Sequence, residues 1–301
     1  MNIVPSVFII LHSVLQIAIW ILDGSVLNES ENFGWRFLSK FWMFLFFYTF
    51  ALYSCASFMD PGYLKLTWLK EVQNDRSFKE ELDDNGERSY CEICNMPRPL
   101  RAHHCSVCKK CVLLMDHHCD FIGNCVGYRN YKSFLLFLLE YPLFCITSLV
   151  VTSYGLYISK KEVADVFTIV IAFVIYLGLG VIVVSQLIAQ VPFALHNKTW
   201  IEISGNKIRD ELYKRAKIKR ENRYDTLSII GNLKQRLGPN PFLWLIPTPN
   251  NGNPYVFPTN PKFIPVHELT FRTINDYGDD DDDETQPLLP NARFRTMNNQ
   301  L

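Results

Sequence analysis

The sequence predicts an all-α polytopic membrane protein: four transmembrane helices, with a cytosolic Cys-rich module between the second and third. Three observations predict it. The 301 residues are 49% hydrophobic and 20% charged, below the ~25% charge of soluble domains, and the apolar residues are gathered into four long blocks. Lys and Arg are divided unevenly among the segments between those blocks. Seven of the nine Cys and four of the seven His fall between Cys91 and Cys125. Zero net charge argues against a strongly basic chain, so no nucleic-acid partner is expected, and the hydrophobicity excludes a chain disordered throughout.

Each block is a span. Ile3–Leu22 and Phe41–Met59 contain no Asp, Glu, Lys or Arg; Ser133–Ile158 contains one acid, Glu140; Val166–Leu195 contains no charge. A bilayer core takes ~20 apolar residues of helix. Buried helices of a soluble core rarely run this long without a polar face. The first block lacks the basic start of a signal peptide and exceeds its apolar region. Glu140, two residues before Pro142, is a functional candidate by default as an intramembrane acid; snorkelling or a hydrogen bond to another helix fits it equally, since it lies about two turns from the helix start.

Orientation follows from the basic residues. The loops Asp23–Lys40 and Ser159–Asp165 hold two each, Asp60–Lys132 holds eleven, and the chain after Leu195 holds fifteen. The positive-inside rule puts the last two segments, and so both termini, in the cytosol. The predicted organisation is 1–59, the first two spans with a short lumenal loop; 60–132, the Cys-rich module; 133–195, the last two spans; 196–278, a cytosolic C-terminal region; and 279–301, an acidic disordered tail. Asn28 heads a glycosylation sequon, Lys207–Arg223 is densely basic, Pro239–Pro265 reads as irregular loop, and Glu284 to Leu289 fits an acidic dileucine sorting pattern. No internal repeat is evident.

The Cys-rich segment has the chemistry of zinc. Structural zinc takes four tetrahedral N/S donors, and C-x-x-C supplies two from one knuckle. Cys91/Cys94 and Cys105/Cys108 are two such knuckles, which implies two structural zinc ions. His104 and Cys105 are neighbours, and neighbours in extended chain face opposite ways, so they serve different metals. The simplest solution is interleaved: Cys91, Cys94, His104 and Cys111 on one ion, Cys105, Cys108, His118 and Cys125 on the other. Spacing alone leaves a sequential assignment open. Filling both sites leaves Cys119, His117 and His103 over. An unligated Cys two residues from an unligated His is a nucleophile–base pair, and Asp116 can hold the imidazole. The competing reading makes Cys119 a spare structural thiol.

At these residues the sequence resembles the DHHC family of protein S-acyltransferases, the palmitoyltransferases, whose motif is Asp116-His117-His118-Cys119. The likeness spans Cys91 to about Phe134 and includes Pro97, Arg98, Arg101, Asn124, Gly127, Asn130 and Phe134. Asp60-Pro61-Gly62 resembles the family's DPG, Thr199-Trp200-Ile201-Glu202 its TTxE, and Asn222 to Asp225 with Asn232 and Gly238 its C-terminal motif. The resemblance implies that Cys119 takes a long-chain acyl group from acyl-CoA (palmitoyl-CoA) and passes it to a cysteine of a protein substrate. It implies the interleaved zinc sites, an active site at the cytosolic membrane surface, and an acyl chain lying among the four helices.

Two departures stand out. Asp120-Phe121 replaces the usual Pro-Trp, and Trp200 replaces the Thr that contacts the motif Asp in the family, so Asp116 is expected to be oriented differently. The expected partners are the lipid bilayer, acyl-CoA and membrane-associated proteins with cytosolic cysteines. The expected location is an endomembrane: endoplasmic reticulum, Golgi, or vacuole and endosome. The alternative function is a membrane-anchored zinc adaptor without catalysis; a metal transporter fits poorly, because the donors lie outside the spans.

Overall fold

The computed structural model of the chain describes residues 4–19, 32–68, 70, 83, 88–158, 163–204, 210, 213–214, 217–266 and 268. Helices α1 (Val4–Ile19) and α2 (Phe33–Phe58) come first. Three antiparallel hairpins follow: β1–β2 (Tyr90–Cys91, Met96–Pro97), β3–β4 (His103–Cys105, Lys110–Val112) and β5–β6 (His117–Cys119, Asn124–Val126). Then come α3 (Tyr131–Ile158), α4 (Val163–Leu195), the short α5 (Trp200–Ser204), α6 (Ile229–Leu237) and a 3-10 turn at Pro241–Leu243. Among the described residues three stretches are long and apolar enough to cross a bilayer, Phe33–Phe58, Tyr131–Tyr154 and Phe173–Leu195. The 16 residues of α1 rise about 24 Å, short of a ~30 Å hydrocarbon core. The predicted span Ile3–Leu22 extends beyond the described residues. Asn28, the run 279–284 and the dileucine pattern lie outside them altogether.

Helix starts differ from the hydropathy boundaries. α2 begins at Phe33 rather than Phe41, because Asn32 caps it by accepting the Gly34 N–H at 2.9 Å. Arg36 and Lys40, read as loop residues, are therefore helical. Hydropathy finds the uncharged stretch, whereas a cap fixes where the helix starts.

The helices pack as a membrane bundle should. Trp42, Leu45, Leu52 and Tyr53 of α2 are buried against Phe137, Tyr141 and Phe144 of α3, while Phe37, Phe44, Phe47, Val174 and Ile182 face outward, as an apolar solvent permits. Polar side chains tie α2 to α3 inside the bundle. Trp42 Nε1 donates to Ser148 Oγ at 2.9 Å, and Thr49 Oγ1 donates to Glu140 Oε2 at 2.6 Å. Glu140 is thus bonded to another helix, one of the expectations for it.

The hairpins dock on the end of α2. Its last carbonyls have no partners within the helix. Asn124 Nδ2 donates to the carbonyls of Ser57 and Met59, and Asn130 Nδ2 to that of Ala56. The next residues form the Asp60-Pro61-Gly62 turn, where Asp60 Oδ1 accepts the N–H groups of Gly62 and Tyr63, both at 2.9 Å. Gly62 has φ 106°, a conformation that favours glycine. The carbonyls of Pro61 and Gly62 accept from Arg129 and Leu113 of the module. The segment Pro239–Pro265 carries only the 3-10 turn yet is well anchored. Lys132 Nζ donates to Leu243 O and Thr248 Oγ1, and Tyr255 stacks on Trp68.

An internal repeat is present after all. In β3–β4 His103, His104 and Cys105 oppose Val112, Cys111 and Lys110; in β5–β6 His117, His118 and Cys119 oppose Val126, Cys125 and Asn124. The register is the same fourteen residues on. It is legible in the sequence as well, contrary to the expectation above: His103-His104-Cys105 with Cys111-Val112 recurs as His117-His118-Cys119 with Cys125-Val126, while the C-x-x-C signature breaks at Ile122.

Candidate functional site

The ligand atoms converge in the interleaved arrangement. Cys91, Cys94, His104 and Cys111 form one group and Cys105, Cys108, His118 and Cys125 the other, with all donor atoms in each within 4.8 Å of one another. Cys94 Sγ lies 3.2 Å and Cys111 Sγ 3.9 Å from His104 Nδ1; Cys108 Sγ and Cys125 Sγ both lie 3.5 Å from His118 Nδ1. A zinc tetrahedron with bonds of ~2.0–2.3 Å sets its donors about 3.5–3.8 Å apart, so both groups fit the ion. Each site borrows the C-x-x-C of one hairpin and the His and Cys of the next. The two ions would therefore staple three hairpins that share little core of their own. His118 Nε2 faces Asp120 Oδ1 at 3.6 Å, which gives the unusual Asp120 a place behind a ligand.

Cys119 and His117 belong to neither group. Strand β5 explains this: alternate residues share a face, so His118 turns to its cluster while His117 and Cys119 turn together to the other side. His117 Nδ1 lies 2.8 Å from Asp116 Oδ2, leaving Nε2 for Cys119. The His117 ring packs edge-on against Phe134 at 5.5 Å.

Asp116 is fully buried and held from both sides. Its Oδ1 accepts from Arg236 Nη2 at 3.0 Å and from the main-chain N–H of Trp200 at 3.4 Å; its Oδ2 accepts from Gln190 Nε2 at 3.2 Å. Replacing the family's Thr by Trp200 therefore leaves Asp116 held by a backbone amide, an arginine and a glutamine. Arg236 is itself buried, its guanidinium 3.5 Å above the ring of Tyr131.

The electrostatics follow. Burial pushes the Asp116 carboxyl up, but the His117 hydrogen bond and the Arg236 charge outweigh it and hold the group below its usual 3.8. Burial likewise pulls His117 down, yet its bonds to Asp116 and Cys119 raise it from 6.5 to about 9. Burial raises Cys119; His117 and the main-chain N–H groups of Ile122 and Phe121 reverse this and lower the thiol below 9.0. Both shifts favour the charged forms, imidazolium on His117 and thiolate on Cys119, the direction in which a thiol becomes more reactive.

Supporting residues clasp this centre. Thr199 and Glu202 form a capping box at α5: Thr199 Oγ1 accepts from Glu202 N at 3.2 Å, and Glu202 Oε2 accepts from Thr199 N at 2.9 Å. Glu202 also grips Arg101 with two bonds, 2.7 and 3.0 Å. Arg101 binds Asn197 and lies 4.2 Å above the Tyr224 ring. Asn232, buried, donates to Leu195 O and Asp225 Oδ1 and accepts from Thr226. The side opposite the clusters meets the helices: Phe121 packs 5.0 Å from Phe8 of α1, and Tyr53 of α2 donates to the Phe121 carbonyl.

Sequence reasoning missed three of these residues. Gln190 carried a faint signal, as an amide inside an apolar span. Arg236 and Asn197 carried none, being polar residues in polar segments.

Comparison with known proteins agrees with the geometry. Residues 84–207 match the sequence profile of the DHHC palmitoyltransferase family. The chain is 36% identical over 203 residues to the probable protein S-acyltransferase 16 of Arabidopsis thaliana, covering 65% of this chain and 71% of that one. It is 32% identical over 216 residues to the probable protein S-acyltransferase 14 of the same plant, covering 65% of this chain and 66% of that one. The human palmitoyltransferase ZDHHC6 is 48% identical over 94 residues, which are 31% of this chain and 21% of that one. With its two Cys/His clusters, its apolar helices and the motif Asp116 to Cys119 between them, the chain belongs to the DHHC palmitoyltransferase family of protein S-acyltransferases.

Proposed function

We propose that Cys119 is the acyl carrier of a two-step transfer from acyl-CoA to a protein cysteine. The observation that carries this reading is that Cys119 is the one thiol of the Cys-rich module outside both four-donor groups, and that it faces His117, which Asp116 holds. The Cys119 thiolate attacks the thioester carbonyl of a long-chain acyl-CoA. The carbon–sulfur bond to CoA breaks, and the departing thiolate takes the His117 proton. A substrate cysteine then gives its proton to His117 and attacks the Cys119 thioester, which frees Cys119 again. Zinc, held by the eight ligands, supplies rigidity to the module and takes no part in bond making.

Partners follow from the chemistry. An acyl chain is taken from the bilayer, and the contact of Phe121 with Phe8 and Tyr53 leads from the Cys119 hairpin to the helix interior. The head group of CoA is polyanionic. Arg98, His103, Lys198 and Arg223 line a cavity of about 630 Å³, and three of its acids, Glu202, Asp210 and Glu221, are paired with Arg101, Arg220 and Lys219. Its neighbour is the capping turn whose Trp200 amide touches Asp116. This cavity suits the phosphates. α1 serves as a fourth span, both termini lie in the cytosol of an endomembrane, and the substrates are membrane-associated proteins with cytosolic cysteines.

The test is direct. Purified protein incubated with labelled palmitoyl-CoA should form a thioester adduct, released by neutral hydroxylamine and absent in Cys119→Ser. An adduct that persists in Cys119→Ser, with undiminished transfer to substrate, rejects the reading.

A further inference from the structure

The hairpin that carries Cys119 has the backbone of a third zinc knuckle. The first knuckle runs Cys91-Glu-Ile-Cys94-Asn-Met96, the second Cys105-Ser-Val-Cys108-Lys-Lys110, and the third Cys119-Asp-Phe-Ile122-Gly-Asn124. All three share one backbone. The first Cys of each opposes the residue five places on: Cys91 opposes Met96, Cys105 opposes Lys110, and Cys119 opposes Asn124. The residue before that partner is left-handed in all three, Asn95 at φ 50°, Lys109 at 57° and Gly123 at 62°. The N–H three places after the first Cys donates to its sulfur: Cys94 N at 3.4 Å from Cys91, Cys108 N at 3.3 Å from Cys105, and Ile122 N toward Cys119.

What differs is the second ligand position. Cys94 and Cys108 stand there in the first two knuckles; Ile122 stands there in the third, fully buried with Val126 against the helices. The third knuckle also lacks a following hairpin. The positions that answer to His104 and Cys111, and to His118 and Cys125, are Lys132 and Leu139, both in α3. Yet a second donor beside Cys119 is already in place. His117 faces Cys119 and gives its other nitrogen to the Asp116 carboxylate, the arrangement that orients a metal-bound histidine. Two donors hold zinc weakly, whereas three with an open fourth position make the usual catalytic zinc site.

We propose that Ile122 keeps Cys119 free of metal: it fills the second ligand position of a third knuckle and withholds the donor that would complete a three-ligand zinc site with Cys119 and His117. It is a positioning residue in this sense, since it acts on the reaction only through what it denies to Cys119. A zinc-bound thiolate would be tied up at the moment it must attack a thioester. A chain with two metal knuckles folded a few residues away from a reactive thiolate needs such a device, because zinc is at hand whenever the module folds.

The inference rests on Cys119 being the working thiol, but its test counts metal rather than turnover. The full chain is purified in detergent and its zinc per chain measured. Wild type should hold two ions and Ile122→Cys three. Ile122→Ser, which opens the same space without a thiolate, should hold two. Ile122→Cys combined with Cys119→Ser should return to two. Loaded with cobalt(II), Ile122→Cys should show extra thiolate-to-cobalt absorption that Cys119→Ser removes. A folded Ile122→Cys with two ions overturns the proposal, as does a third ion in Ile122→Ser. If Ile122→Cys does not accumulate folded, Ile122→His places a nitrogen donor there, and two ions in it overturn the proposal equally. Self-acylation of the wild type is measured separately. Its failure removes the functional reading and leaves the metal count to decide this one.

Discussion

At the scale of single residues, the centre is a chain of constraints that ends on one sulfur. With Cys119 as the proposed nucleophile, Cys119→Ser should abolish self-acylation and transfer while zinc content stays at two per chain. With His117 as the proposed proton carrier, His117→Ala should slow acylation by ~10²–10⁴-fold, the usual contribution of a positioned acid–base group. Arg236 acts one step back. It is buried against the fully buried Asp116; breaking such a pair costs up to about 3–5 kcal/mol, and less here because His117, Gln190 and the Trp200 amide still hold the carboxylate. Arg236→Met should therefore lower the melting temperature in detergent and slow self-acylation without changing the zinc count. An unchanged melting temperature would mean that Asp116 does not depend on Arg236.

At the scale of elements, the hairpins depend on close backbone contact with the turn after α2. A Cβ on Gly127 would stand 2.6 Å from the Pro61 carbonyl and 2.6 Å from Val112 Cγ1. Neither atom is a flexible tip, so Gly127→Ala should cost about 1–3 kcal/mol, as overpacking does, and should shift the Asp60-Pro61-Gly62 turn. Thermal melts against wild type check this; equal stability would show that the turn yields freely. The α5 capping box is a second joint. Glu202→Gln keeps an acceptor for Thr199 but loses the ion pair to Arg101. Its expected effect is a modest loss of stability with slower acylation, since α5 carries the Trp200 amide to Asp116. The zinc knuckles are the third joint. Cys94→Ser or Cys108→Ser should lower zinc content and unfold the module, because metal binding there is folding free energy.

At the scale of the molecule, the membrane reading makes its own prediction. On the proposed topology of four spans with the basic segments inside, a tag at either terminus and the module between Cys91 and Cys125 should be shielded only in inverted sealed vesicles. Labelling of the module from the lumenal side would reverse the topology. The same arrangement explains why the module sits where it does. Asn124 and Asn130 complete the end of α2, and α3 begins at Tyr131, directly after the last hairpin. The hairpin of Cys119 is thus tied to α2 by Asn124 and leads into α3.

Much of this was legible in the sequence, for a physical reason. Apolar blocks long enough to span a bilayer are a local property of the chain, and three of the four reappear as helices of spanning length. Donor types at knuckle spacing are local too, and so is the pleat that turns His118 one way and His117 with Cys119 the other. These patterns need no knowledge of distant partners. What only the tertiary structure decided is how Asp116 is held. Its partners, Gln190, Trp200 and Arg236, arrive from 74 to 120 positions away, and only the packing of α4, α5 and α6 against the module brings them together. The choice between interleaved and sequential zinc sites was of the same kind, since spacing allowed both and the stacking of hairpins selected one. The third knuckle was half visible: His-His-Cys and Cys-Val recur fourteen residues on, but Ile122 breaks the C-x-x-C signature. That the backbone is shared despite the missing ligand shows only in φ values and strand register, which the folded hairpins decide.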